Sequence, residues 1–179
     1  MIQNEREIRK ELVMQAAHQM MVAARTAPKG KGIDIIEMAL VTDDDLRSLS
    51  DEMIKLADEK DLNFFLRDAE NILQADVVMI IGTHQKSQGL NCVHCGFQTC
   101  ASKPIEMPCA INTIDLGIAI GSACSKAADL RVDTRVMFSA GLAAQRLGML
   151  GANCACVMAI PVSASTKNPF FDRKPPQNK

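Results

Sequence analysis

The sequence predicts an α/β fold with helices packed around a central sheet, and three observations predict it. From Asn4 to about Ala24 the apolar positions Ile8, Leu12, Met14, Ala17, Met20 and Met21 recur at helical spacing among charged neighbours. Two runs, the β-branched and largely apolar Ile33 to Val41 and the continuous apolar Asp76 to Ile81 (DVVMII), have the length and composition of buried strands. Helical and strand patterns alternate along the chain with no internal repeat or clear interdomain linker, as expected of a single domain spanning 1–179.

Each element follows from local signals. The first helix stops in the turn Arg25 to Gly32, and the strand 33–41 leads into Thr42, whose hydroxyl and the Asp45 three residues on form an N-cap pattern. A helix is expected from Asp43 to Lys60 and a shorter one from Leu62 to Leu73. DVVMII, ending at Gly82, reads as a central strand of the kind parallel sheets bury on both faces. Thr113 to Ala128 is apolar almost all round and rich in small residues, which suits a buried, closely packed helix. Asp133 to Leu150 reads as a further helix with Val136, Ala140, Ala143, Ala144 and Leu147 on one face. Cys154 to Val162 is the last core strand, closed by Pro161 and followed by the polar tail Ser163 to Lys179.

Charge and hydropathy exclude some partners. Lys and Arg number 20 against 21 Asp and Glu, so the basic excess that phosphate-dominated nucleic-acid binding requires is missing. No run of about 18 apolar residues suggests a membrane span, and the start MIQNEREIRK is charged rather than signal-like. The expectation is a cytoplasmic protein. The absence of Trp and Tyr beside eleven Met points to a core filled by flexible aliphatic side chains.

The chemistry concentrates in the segment 83–110, a polar loop inserted between elements. It carries Cys92, Cys95, Cys100 and Cys109 in the spacing C-x2-C-x4-C-x8-C. Clustered cysteines in a reducing compartment bind metal or do chemistry more often than they form disulfides. Four soft thiolates on one short loop complete the terminal coordination of a 4Fe-4S cluster, and a bound cluster would order a loop of this length. A four-cysteine zinc site is the alternative, although zinc ribbons usually present two C-x2-C knuckles where this chain has one. His94 reads as a solvated loop residue. Cys124, Cys154 and Cys156 lie in apolar contexts and read as buried small hydrophobes, with the alternate spacing of Cys154 and Cys156 placing both on one side of a strand. Asp115, Asp133 and Arg135 read as caps or internal ion pairs. The histidines, at 18, 84 and 94, form no hydrolase motif, and no GxGxxG marks a Rossmann dinucleotide site.

CVHCGFQTC, residues 92–100, resembles the C-x2-C-G-x3-C opening of the iron-sulfur domain of corrinoid iron-sulfur proteins and of a membrane electron-transport subunit of anaerobes. Those domains place the fourth cysteine further along, whereas Cys109 follows after eight residues. Over most of its length the chain resembles a prokaryotic family described only as containing a ferredoxin domain, through DLGIAIGSA (115–123), VDTRVMFSAG (132–141) and KNPFFDR (167–173). More distantly, AARTAPKGKG (23–32) and IPVSASTKNPFFDRK (160–174) are similar in placement to segments of flavin-dependent nitroreductases. That resemblance implies a nitroreductase-like sandwich, often a homodimer, with FMN at the subunit interface. The Arg-rich start that those enzymes use for phosphate is represented here by Arg6 and Arg9. Arg25 and Lys29 beside a Gly-containing turn, with Arg173 in the tail, are the cations such a phosphate would require; a solvated turn and tail are the plain alternative.

Three functions compete. The cluster passes single electrons to a redox partner protein or to a flavin; the metal loop orders a binding or regulatory surface and moves no electrons; or a nitroreductase-like flavoenzyme is fed by the cluster.

Overall fold

The computed structural model describes residues 1–171. Asn4 caps the first helix, α1 (Glu5–Thr26), its side-chain oxygen accepting from the Arg6 N–H at 3.1 Å. Then follow β1 (Ile36–Val41), α2 (Asp43–Lys60), α3 (Phe64–Ile72), β2 (Val77–His84), α4 (Ala110–Asp129), β3 (Asp133–Thr134), α5 (Phe138–Arg146) and β4 (Cys154–Ser163). The helix α2 keeps its expected bounds. Three Asp in its first turn face the positive end of its dipole, and Asp61 takes the left-handed conformation that stops it.

The sheet order is β1-β2-β4-β3, and every pairing is antiparallel. The parallel reading of DVVMII is therefore corrected: the run is apolar on both sides because helices cover both faces of the sheet. On one face α2, α3 and α5 enclose Leu49, Met53, Phe65, Val78, Ile80 and Ala140; on the other α1 and α4 enclose Ala17, Met20, Met79, Ile81, Leu116 and Ala123. The result is the sandwich of helices around a central sheet that the sequence predicts.

Two further expectations change. Asp133 to Leu150 is not one helix: Asp133 and Thr134 pair with β4, Met137 bridges to Ala159, and only then does α5 begin, ending before Gly148 at φ +66°. Pro161 does not close β4 but lies inside it, opposite Val78. Alternation along β4 turns its missing N–H toward β3, at the position between Thr134 and the Met137 bridge where no ladder bond is made.

Of the singled-out charges Arg135 makes the expected internal ion pair, whereas Asp115 and Asp133 accept hydrogen bonds and are neither helix caps nor ion-paired among the described residues. Buried Asp68 accepts from Ser139 Oγ at 2.7 Å and lies 3.5 Å from Arg135, which also donates to the Phe170 carbonyl and stacks over Phe171. Asp133 accepts from Asn168 Nδ2. These contacts join VDTRVMFSAG to the segment that follows β4. Asp115 accepts from the Gly30 N–H at 2.9 Å and so fastens the turn after α1 against α4; a Cβ at Gly30 would meet Ile111 at 2.7 Å.

Candidate functional site

The loop between β2 and α4 is shaped by backbone in the left-handed region at Gly89, Asn91, Val93 and Gly96. The Gly96 N–H donates to the Val93 carbonyl at 2.8 Å, which turns the chain tightly at Cys95. Asn91 and Cys100 clasp each other: the Asn91 N–H donates to Cys100 Sγ at 3.4 Å and the Cys100 N–H to Asn91 Oδ1 at 2.8 Å. Thr99 and Ser102 cap the short turn at Cys100–Ser102 reciprocally. Lys103 is buried, its ammonium donating to the carbonyls of Pro104 and Met107. The loop thus has hydrogen bonds of its own. Its root is held by Asn112, whose Nδ2 donates to the carbonyls of His84 at 3.1 Å and Lys86 at 2.5 Å.

Cys92, Cys95 and Cys100 are half-buried on this loop, and Cys109 is buried at the N-terminus of α4. Among the described residues, no three His, Cys, Asp or Glu side chains are gathered in a metal-holding arrangement. The local chemistry does suit anionic sulfur. Burial pushes the Cys109 thiol up, but the backbone amides of Gln88, Asn112 and Ile111 and the Lys103 ammonium outweigh it, leaving the thiol below its ordinary value. None of these amides closes to a full cap hydrogen bond. At Cys100 the Asn91 N–H is directed at the sulfur. Soft donors with N–H groups directed at them fit a thiolate-bound metal group.

Cys109 also lines a cleft of about 240 Å³ at the end of the sheet. The strand pair β2–β4 is irregular here. Ile81 pairs with Met158 and Thr83 with Ala155, so β4 carries one residue more than β2. In this bulge Cys156 adopts φ +53°, and the Val157 N–H turns to Gln145 Oε1 at 3.2 Å. The extra residue breaks alternation, which corrects the reading of Cys154 and Cys156 as neighbours on one side. Cys154 packs with the α2, α3 and α5 face and Cys156 with the α1 and α4 face. Gly82 lies opposite the bulge, where a Cβ would meet Cys154 Sγ at 2.6 Å and Val157 at 2.9 Å.

Sequence reasoning missed Thr83, Gln88 and Asn112. Their side chains are buried, and Thr83 Oγ1, Asn112 Oδ1 and both polar atoms of Gln88 have no hydrogen-bond partner among the described residues. The available signal was a polar residue interrupting an apolar run: Thr83 directly after VVMIIG, and Asn112 in the first turn of an apolar helix.

Two of the three cations proposed for a flavin phosphate, Arg25 and Lys29, are engaged elsewhere. Arg25 donates to Asp34 and to the Ile36 carbonyl, each at 2.7 Å. Lys29 caps the C-terminus of α1 by donating to the carbonyls of Ala24, Arg25 and Ala27. Arg173 lies outside the described residues.

Residues 106–173 match the family described as "Uncharacterized protein containing a ferredoxin domain (DUF2148)", a stretch that includes Cys109 and begins after the other three loop cysteines. An Archaeoglobus fulgidus protein, itself described as uncharacterized, is 39% identical over 185 residues, covering 98% of this chain and 99% of that one. Among solved structures, a nitroreductase with bound FMN from Desulfitobacterium hafniense is similar with a TM-score of 0.58 at 17% identity, over 94% of this chain and 82% of that one. A putative nitroreductase in complex with FMN from Desulfovibrio desulfuricans gives 0.58 at 14%, over 90% and 79%. At these identities the likeness is one of fold, and the sandwich is nitroreductase-like. No helix among the described residues is long and apolar enough to cross a membrane. Related to the archaeal protein over nearly its whole length, and matching the family from the end of the cysteine loop through β4, the chain belongs to this family of ferredoxin-domain proteins.

Proposed function

We propose that this chain is a cytoplasmic redox protein that holds one 4Fe-4S cluster on Cys92, Cys95, Cys100 and Cys109. The observation that carries the reading is Cys109, a buried thiol that its surroundings favour as thiolate, on the same short loop as three further cysteines. A cluster bound there accepts and returns single electrons. The chain's own part is to anchor Cys109 on the rigid end of α4, to direct the amides of Gln88, Ile111 and Asn112 at its sulfur, and to supply the Asn91 amide to Cys100. Ligation asks the loop to bring the other three sulfurs to Cys109. The ferredoxin-domain description of the family supports this reading. A zinc site on the same four thiolates is the competing assignment.

The FMN bound by the two similar structures favours a second reading, in which the cluster feeds a flavin and the chain is an oxidoreductase. The outward face of α4, with Ile114, Gly117, Ile118 and Gly121 exposed and uncharged, supports a homodimer.

One anaerobic preparation tests these readings together. The expected result is a broad absorption near roughly 400 nm with about four irons per chain, both lost in Cys92→Ser. Colourless protein with stoichiometric zinc overturns the redox reading and leaves a metal-ordered binding module. FMN released on denaturation supports the flavin reading, and failure to bind added FMN removes it.

A further inference from the structure

The helix α4 ends on a residue that its backbone does not favour. The Val132 N–H donates to the Ala127 carbonyl and the Arg131 N–H to the Ala128 carbonyl, each at 3.2 Å, a closing pattern that puts one residue in the left-handed region. That residue is Arg131, at φ +59°. Glycine is its usual occupant. Asp61 closes α2 in the same way, but aspartate tolerates the conformation through its short polar side chain. Arginine gains nothing from the backbone here, so the reason for it lies in what its side chain meets.

Two adjoining cavities, of about 240 and 260 Å³, share Glu5, Arg9, Arg131 and Ala164 in their walls. Together they form a groove between α1, the turn after α4 and the segment following β4. One half is apolar, lined by Leu12, Val13, Ala16, Leu130 and Val132, and Leu12 is 44% exposed there. The other half is polar, and its charges are unequally engaged. Arg9 grips Glu5 through two hydrogen bonds at 2.8 and 2.9 Å, and Asp133 accepts from Asn168 Nδ2. The Arg131 side chain makes no hydrogen bond or ion pair among the described residues. We infer that this groove binds a small monocarboxylate with a hydrocarbon tail, the carboxylate on the Arg131 guanidinium and the tail along Leu12, Val13 and Leu130. The planar guanidinium presents paired N–H donors that match a carboxylate. One unengaged cation beside Glu5 and Asp133 suits a single negative charge better than a dianionic phosphate. Each methylene laid on the apolar wall adds affinity until the wall is covered. The 20-residue α4 separates Arg131 from Cys109 by roughly 30 Å, so the groove is distinct from the cysteine loop.

Butanoate, hexanoate, hexanol, hexylamine and hexyl phosphate vary tail and head separately. Their proton signals give dissociation constants by saturation-transfer titration against the protein as purified. Hexanoate should bind about fivefold or more tighter than butanoate and than hexanol, with hexylamine and hexyl phosphate both weaker than hexanoate. Arg131→Gly gives the decisive result. It should raise the denaturant midpoint of unfolding, because glycine suits this backbone, and yet weaken hexanoate by about tenfold or more. Leu12→Ser, at an exposed position, should narrow the gap between hexanoate and butanoate. Hexanol or hexylamine equalling hexanoate, hexyl phosphate exceeding it, or saturable binding by none of the five would overturn the inference. So would an Arg131→Gly protein that binds hexanoate as the parent does, or one that unfolds more easily, which would make the arginine structural. Neither metal nor electron transfer is read, so failure here leaves the cluster reading standing, and a colourless protein leaves this site standing.

Discussion

The two ends of the β2–β4 strand pair obey different rules. At one end Val77, Val78, Met79 and Ile80 face Val162, Pro161, Ile160 and Ala159 in unbroken register, and each of these side chains is buried. At the other, within three residues, β2 has Gly82, β4 has a bulge with a strained Cys156, and Thr83 is buried with a hydroxyl unpaired among the described residues. Both ends belong to the same two strands, so strand propensity does not separate them. What separates them is the neighbour: helices cover the regular end, while the irregular end opens on the cleft and the root of the cysteine loop. Departures from local rules gather where a fold does something besides persist. Stability should therefore reside at the first end and specificity at the second.

The sharpest way to break this contrast is at the regular end. Ile80 is fully buried between Ala39 and Ala159, facing the α2, α3 and α5 core. Ile80→Ala should cost about 2–5 kcal/mol in denaturant unfolding, through lost transfer energy and the cavity left behind. Purified under native conditions, the variant should keep whatever metal the proposed cysteine site holds in the parent protein. Metal loss at full occupancy of the native state would show that the two ends are not separable.

The regular end is also the part that was legible from the amino-acid order. The helix from Asp43 to Lys60 could be read in its bounds because its acidic first turn and its apolar spacing agree, although the Thr42 side chain makes no cap hydrogen bond. DVVMII gave a central strand but not its direction, since two-sided burial leaves the same apolar run in parallel and antiparallel sheets. The start of the predicted helix at Asp133 failed for a non-local reason: Asp133, Thr134 and Met137 are drawn into pairing with β4, which no local pattern encodes. At the site, spacing identified the four loop cysteines, but nothing local signals the bulge that sends Cys154 and Cys156 to opposite faces. It likewise gave no sign that Lys29 would be consumed in capping α1.

At the irregular end the expected effects are smaller and more specific. Alanine normally improves on glycine in a strand, but at Gly82 the new methyl meets Cys154 Sγ at 2.6 Å and Val157 at 2.9 Å, with the Ala155 carbonyl at 3.3 Å. Gly82→Ala should therefore destabilise by about 1–3 kcal/mol, in the range of an overpacked core. Combining it with Cys154→Ala removes the nearest obstacle, so the double variant should be less destabilised than the two single effects sum to. Additivity would mean that glycine is required here for the backbone of the bulge and not for the sulfur beneath it.

The smallest effect concerns the proton on that sulfur. Burial, then the Glu37 carboxylate, then Cys156 push the Cys154 thiol up to about 11, against a weaker lowering by the Ala155 amide. An unfolded chain titrates this thiol near about 8.5. Because the folded value is the higher one, the stabilising contribution of the neutral thiol is fully present below the unfolded value. It fades as pH rises from there through the folded value. At a pH just above the unfolded value, iodoacetamide should label Cys154 readily in denaturant and hardly at all in the native protein. Native labelling should rise only as pH approaches the folded value, with peptide mass spectrometry reporting the site. Rapid native labelling near the unfolded value would show that the bulge end admits water and reagent to the α2, α3 and α5 face, and the division between a sealed end and a working end would fail at Cys154.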